Sequence, residues 1–131
     1  MQQANNAYQE SKRLAIESLS KEDVVIKLFE EAAKQLKMAI ILSERQEFVK
    51  VFNCIAKCQK IISSLNSSLD MKYQISQELD EMYRFIYEKL GEASVNHDLK
   101  LMQDIFTLIT GLKDSFKEAQ KINNSSKIRG L

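Results

Sequence analysis

Few residues in this chain have the type and spacing that chemistry needs. The sequence holds a single histidine, His97. A di-iron helical bundle takes a Glu-x-x-His pair from each of two helices, and one histidine cannot supply that. A phosphotransfer bundle needs an exposed histidine in mid-helix, whereas Val95-Asn96-His97-Asp98 reads as a turn. His97 therefore reads as an ordinary surface residue. Cys54 and Cys58 lie four apart and would share one helix face. A closed zinc site needs four ligands, and no second pair exists, so both read as small core or half-buried residues. Glu30, Glu31, Glu78, Asp80 and Glu81 fall where helices need polar faces. Acid–base work would require a pocket and a perturbed pKa. Neither a Gly-rich phosphate loop nor a Gly-x-Ser-x-Gly element is present. A small helical mutase would want converging cations, yet arginine occurs only at Arg13, Arg45, Arg84 and Arg129. The expectation is a protein with no catalytic residues, no cofactor and no metal.

The remaining chemistry is that of surfaces, and composition narrows it. The chain has 131 residues, a length for one domain. Nineteen Lys and Arg against eighteen Asp and Glu leave a net charge of +1, too little field to gather phosphate or an anionic membrane. Nucleic-acid binding is therefore not expected. No apolar run approaches the roughly 18 residues of a membrane helix; Met38-Ala39-Ile40-Ile41-Leu42 is flanked by Lys37 and Glu44. The N-terminal MQQANNAYQESKR lacks a signal-peptide core. Two cysteines without a disulfide framework agree with a reducing compartment, so a cytoplasmic location is expected. In the cytosol the triplets at Asn66 and Asn124 are not glycosylation substrates.

The absence of proline and the presence of only three glycines favour long helices. Residues 1–18 read as a polar arm or short helix carrying Ala7, Tyr8, Leu14 and Ile16. Ser20 can cap a first helix with Glu22 and Asp23 in its first turn and Leu19 as a staple. Val25, Phe29, Ala32, Leu36, Ala39 and Ile40 then recur at three and four. Residues 43–47 form a polar connection. A second helix carries Phe48, Val51, Phe52, Ile55, Cys58, Ile61, Ile62, Leu65 and Leu69, and ends around 66–70. A third carries Ile75, Leu79, Met82, Tyr83, Ile86, Leu90 and Ala93, capped by Ser76 or Asp70. Asn96 suits a left-handed turn residue, and Asp98 can cap a fourth helix carrying Leu101, Met102, Ile105, Leu108, Ile109, Leu112, Phe116 and Ala119. Residues 121–131 lose the pattern and read as a polar tail. Short connections make the helices antiparallel neighbours. The expected organisation is an all-α antiparallel four-helix bundle over 19–120, an arm at 1–18 and a tail at 121–131.

The apolar stripes are wider than a bundle needs, about three positions in seven. Val24, Ile26, Leu28, Met38 and Ile41 widen the first; Tyr73, Phe85 and Tyr87 widen the third; Leu99 and Phe106 widen the fourth. Spare apolar surface of this kind suits partner helices that dock through anchors at helical spacing. The arm, with Tyr8, Leu14 and Ile16, could occupy such a groove when no partner is present.

An ordered set of segments over about residues 7–120 resembles the FliS family of flagellar secretion chaperones. Ala7-Tyr8 is similar to the family's N-terminal Ala-Tyr, and Leu19-Ser20-Lys21-Glu22-Asp23 to its Ser-Pro-Glu-Glu helix start. Residues 28–36, LFEEAAKQL, are similar to its LYEGAIRFL segment. Residues 65–70, LNSSLD, match its junction after the second helix. Residues 79–83, LDEMY, and 112–119, LKDSFKEA, resemble its third-helix and closing patterns. Lys21 stands where the family has Pro, Phe116 where it has Trp, and residues 71–75 where many members have a Gly-containing turn, so that junction is expected to be more helical here.

The resemblance implies a function that periodicity alone does not give. Such proteins bind the disordered C-terminal region of flagellin in the cytosol, prevent premature polymerisation and deliver the client to the export gate; some also meet an anti-sigma factor. The expected partner-contacting residues are Ala7, Tyr8, Ile16, Leu19, Val24 and Leu28, on the arm and the adjoining first helix. The alternative is a helical adaptor or regulatory bundle that uses the same surface for another partner helix.

Overall fold

The structure, a computed structural model, describes residues 6–7 and 21–129, with side chains described through residue 123. Four helices follow one another: α1 (Lys21–Glu44), α2 (Phe48–Ser67), α3 (Gln74–Asn96) and α4 (Leu99–Arg129). No strand occurs among the described residues. α1 packs against α2 and α4, and α3 packs against the same two helices, closing a four-membered ring. This is the expected all-α four-helix bundle. The ring is uneven: α1 lies closest to α2, and α3 meets α4 least closely.

The stripes read from the sequence supply the core. Phe29 and Leu36 from α1, Ile55, Cys58, Ile62 and Leu65 from α2, Tyr83, Ile86 and Leu90 from α3, and Met102, Ile105 and Ile109 from α4 are all buried. Each large apolar side chain so buried contributes about 1.5–3 kcal/mol. Phe29 sits between two rings, with centroids 5.2 Å from Phe116 and 6.1 Å from Tyr83. Phe116 thus provides an aromatic anchor between α1 and α4. Ala32, Ala33 and Ala39 are buried beside it, and small side chains there let α1 approach its neighbours.

The turns follow local chemistry. α1 ends with Gln46 in the left-handed region at φ 58°. The Glu47 N–H donates to the Leu42 carbonyl at 3.0 Å and the Gln46 N–H to the Ser43 carbonyl at 3.0 Å. These two bonds satisfy helix-end acceptors in the Schellman pattern. At the α3–α4 turn the left-handed residue is His97 (φ 52°, ψ 40°), not Asn96, which remains the last residue of α3. The Asp98 N–H reaches the Ala93 carbonyl at 3.0 Å, so register, and not side-chain tolerance of a left-handed backbone, fixes which residue turns. Asp98 caps α4 as expected, its Oδ1 accepting from the Leu101 N–H at 3.0 Å.

Other expectations are corrected. Neither Ser76 nor Asp70 caps α3: the cap position is Tyr73, without a side-chain bond. Ser76 is buried in the first turn. Asp70 instead accepts from the Lys72 N–H at 3.2 Å, which holds 70–73 as a turn where a more helical junction was expected. The polar pattern after residue 120 does not end α4, which continues to Arg129. A helix tolerates a stretch without an apolar stripe when nothing in it breaks the backbone ladder, and no proline does. The Ser20 cap and Leu19 staple lie outside the described residues.

Candidate functional site

The groups that could have done chemistry are occupied structurally. Cys54 and Cys58 are buried and free. The Cys58 thiol donates to the Ala32 carbonyl at 3.4 Å, and burial pushes its pKa up to about 12. Such a thiol is neither a ready nucleophile nor a metal ligand. Among the described residues no three His, Cys, Asp or Glu side chains gather into a metal-binding group, and no helix is long and apolar enough to cross a membrane. His97 is exposed in the turn between α3 and α4. Its ring stacks on Phe48, with centroids 3.9 Å apart and planes inclined by 25°.

Asp80 belongs to a polar clasp on the α2–α3 seam. Its Oδ1 accepts from Asn66 Nδ2 at 2.7 Å, and its carboxylate receives Arg84 Nε at 3.0 Å. The Asn66 bond first, then Arg84, holds its carboxyl below the usual carboxylate range. Two turns along, Gln59 Nε2 donates to the Tyr87 carbonyl at 3.1 Å. A carboxylate already bonded in this way fixes helix register and is not poised to move protons.

What remains is apolar surface, and it clusters. At one end of the α2–α3 seam, Val49 and Phe52 of α2 are 77% and 61% exposed, and Val95 of α3 is 76% exposed. The antiparallel register that pairs Gln59 with Tyr87 and Phe48 with His97 places Phe52 beside the last turns of α3. On the α3–α4 seam, Met82, Phe85 and Leu108 line a groove of about 600 Å³, with Glu78 and Glu81 on its rim. Phe85 is 48% exposed there. A third hollow, between α1 and α4, is more polar. It is about 450 Å³ and is crossed by Gln120–Asp23 at 2.7 Å and Lys117–Glu30 at 3.4 Å.

Of the expected partner-contacting residues, Val24 and Leu28 are half-buried one turn apart on α1, and Leu28 packs against the core cluster. Ala7 is exposed in helical backbone. Tyr8, Ile16 and Leu19 lie outside the described residues. Among the stripe-widening residues, Met38, Ile41, Tyr73, Phe85 and Tyr87 are exposed, whereas Ile26 is buried. Phe52 and Ile75, expected in the core, are exposed instead. Phe52 directly follows buried Val51, and a step of about 100° turns it from the core. Ile75 stands in the first turn of α3, at the edge of the packed layers.

Among the described residues a buried apolar core is thus accompanied by exposed apolar side chains at the end of the α2–α3 seam and along the α3–α4 seam. The model of the flagellar protein FliS family matches residues 4–123. The chain belongs to the FliS family. Its FliS match runs from the N-terminal segment through α1, α2 and α3 and ends within α4. A similar protein is the flagellar secretion chaperone FliS of Bacillus subtilis strain 168, 22% identical over 119 residues, 91% of this chain and 87% of that protein. The family match therefore takes in both the α3–α4 groove and the exposed end of the α2–α3 seam.

Proposed function

We propose that this FliS-family protein is a cytoplasmic flagellar export chaperone. It binds the disordered C-terminal region of flagellin, keeps it from polymerising prematurely and delivers it to the export apparatus. The observation that carries this reading is the apolar surface left on an otherwise well-packed bundle: Phe52 and Val49 at one seam, Phe85 with Met82 and Leu108 at another. A monomer gains nothing from exposing such groups in clusters, and a partner helix covers them. The family membership and the named Bacillus relative give the partner its flagellar context.

The thermodynamics suit delivery. A disordered client that folds on a surface buries on the order of 1,000–3,000 Å² and loses several kcal/mol to ordering, so binding is specific yet reversible. Contact with the export gate, and with an anti-sigma factor, belongs to the same reading. The N-terminal segment, with Ala7, Tyr8, Ile16 and Leu19, is proposed to act together with Val24 and Leu28, either covering the client surface or clamping the client.

The test is direct. The purified chain is titrated with the last roughly 40 residues of flagellin from the same organism, a length suited to coupled folding on one bundle. A one-to-one complex by calorimetry and size exclusion is expected, with helicity gained by the peptide. No binding at micromolar concentrations would sink the chaperone reading.

A further inference from the structure

We infer that the α3–α4 groove is the seat of a basic amphipathic helix within the client, gripped by Met82, Phe85 and Leu108 and held in register by Glu78 and Glu81. This rests on the chaperone reading above and adds where one client segment lies and what its chemistry is.

The groove follows from the packing. α3 and α4 meet less closely than any other adjacent pair of the ring, so side chains on their shared outer edge are not consumed by each other. Met82 and Leu108 are half-buried and form the floor. Phe85, one turn from Met82 on α3, stands on the rim and is 48% exposed. A floor between two antiparallel helices accepts a third helix through apolar side chains at three- and four-residue spacing.

The charges decide what kind of helix. Glu78 and Glu81 are exposed, three residues apart on one side of α3. Neither makes an ion pair with any described residue, whereas cations along these helices are engaged elsewhere: Arg84 pairs with Asp80 at 3.0 Å and Lys113 with Asp114 at 3.8 Å. Lys89 pairs with Glu92 at 3.2 Å and lies 5.7 Å from the Phe85 ring. Lys100 pairs with Asp104 at 2.6 Å. The two carboxylates repel each other across one turn, and Lys or Arg on an incoming helix relieves this while setting its direction. An acidic rim rejects a segment that carries its own carboxylates at those positions.

The experiment uses the full chain and the flagellin C-terminal peptide described above. Phe85→Ala should weaken binding by about tenfold or more, as for an aromatic side chain that the bound helix covers. The double variant Glu78→Lys, Glu81→Lys should weaken it severalfold at ~50 mM salt and less at ~500 mM, because screening removes rim electrostatics. A peptide whose Lys and Arg are changed to Glu should recover affinity for that double variant. Thermal melts show whether these surface substitutions leave the bundle folded. Wild-type binding that neither Phe85→Ala nor the charge reversal changes beyond twofold would overturn the groove while leaving the chaperone reading intact. A client-induced loss of the effect of Phe85→Ala on removing residues 1–20 would assign the groove to the chain's own N-terminus and overturn the inference. Absence of wild-type binding overturns both readings together.

Discussion

The ring of His97 lies 3.9 Å from that of Phe48, joining the turn after α3 to the first residue of α2. His97 holds this contact from a left-handed backbone, φ 52°. Gln46 ends α1 with the same geometry, φ 58°, but has no ring to stack on. For a residue with a Cβ, the left-handed conformation costs about 1 kcal/mol, a cost glycine avoids. Gln46→Gly should therefore stabilise the bundle by up to about 1 kcal/mol. At His97 the same change forfeits a stacked ring pair, an interaction of about 0.5–1.5 kcal/mol. His97→Gly should accordingly gain less than Gln46→Gly, by the value of the stack, and end between a slight gain and a slight loss. Urea midpoints of the two variants decide between backbone relief and ring stacking; an equal gain at both positions would show that the stack contributes nothing.

Gly111 offers a complementary test inside a helix. It is exposed within α4, and a Cβ built there meets nothing within 4 Å. Glycine in a helix interior costs about 0.8–1.0 kcal/mol relative to alanine. Gly111→Ala should raise stability by about that amount, read as a higher urea midpoint with unchanged slope. A loss would mean that α4 bends or frays at this position in solution.

The four helices were legible because their core positions keep a helical period and no proline interrupts them. Phe29, Ile55, Ile86 and Ile109 lie where the stripes put them. Local chemistry also revealed Asp98 as a cap. The failures have separate causes. Asn96 was the better left-handed residue by side-chain type, yet α3 runs one residue further and turns at His97, because helix length is set by packing and the Asp98–Ala93 bond. Nothing in 121–129 forbids helix, so a missing apolar stripe did not mean a missing element. The exposed apolar surface was legible in part. Spare apolar residues were visible as a surplus, and Phe85 and Tyr87 were among them. Phe52 and Ile75 were hidden because a stripe read on one helix cannot show which of two adjacent apolar residues its neighbour covers. The weak α3–α4 seam is a relation between helices and leaves no mark within either sequence segment.

Alkaline pH should loosen the fold by a definite route. Burial raises Cys58 from an ordinary 9.0 to about 12 and Tyr83 from 10.0 to about 12. Both folded values lie above the unfolded ones, so the fold favours the neutral forms. Their contribution is fully present below pH ~9 and is lost as pH rises toward 12, with a limiting slope of ~1.4 kcal/mol per pH unit for each group. Urea unfolding between pH 8 and pH 11 should show this decline. Cys58→Ala and Tyr83→Phe each lower stability at pH 8 through lost contacts, but each should flatten the decline. A double variant that retains the full slope would place the titrating groups elsewhere.

At the acid end the clasp on α2 and α3 sets the expectation. Asn66 Nδ2 reaches Asp80 at 2.7 Å, and Arg84 Nε reaches the same carboxylate at 3.0 Å. Both favour the charged form and lower its pKa. The stabilisation is present above the unfolded carboxyl value, near 3.9, and disappears as pH falls through the lower folded value. Asp80 is reached from solvent, so the effect should shrink in salt. Asn66→Ala removes the larger cause. The Asp80 carboxyl should then titrate closer to its ordinary range, followed by carbon-detected NMR, while Gln59 still bonds the Tyr87 carbonyl and keeps the α2–α3 register. Asn66→Ala should also loosen the last turn of α2 toward α3, visible as faster amide exchange around residues 63–67. An unshifted Asp80 in that variant would leave Arg84 as the dominant partner, and Arg84→Gln should then produce the shift that Asn66→Ala did not.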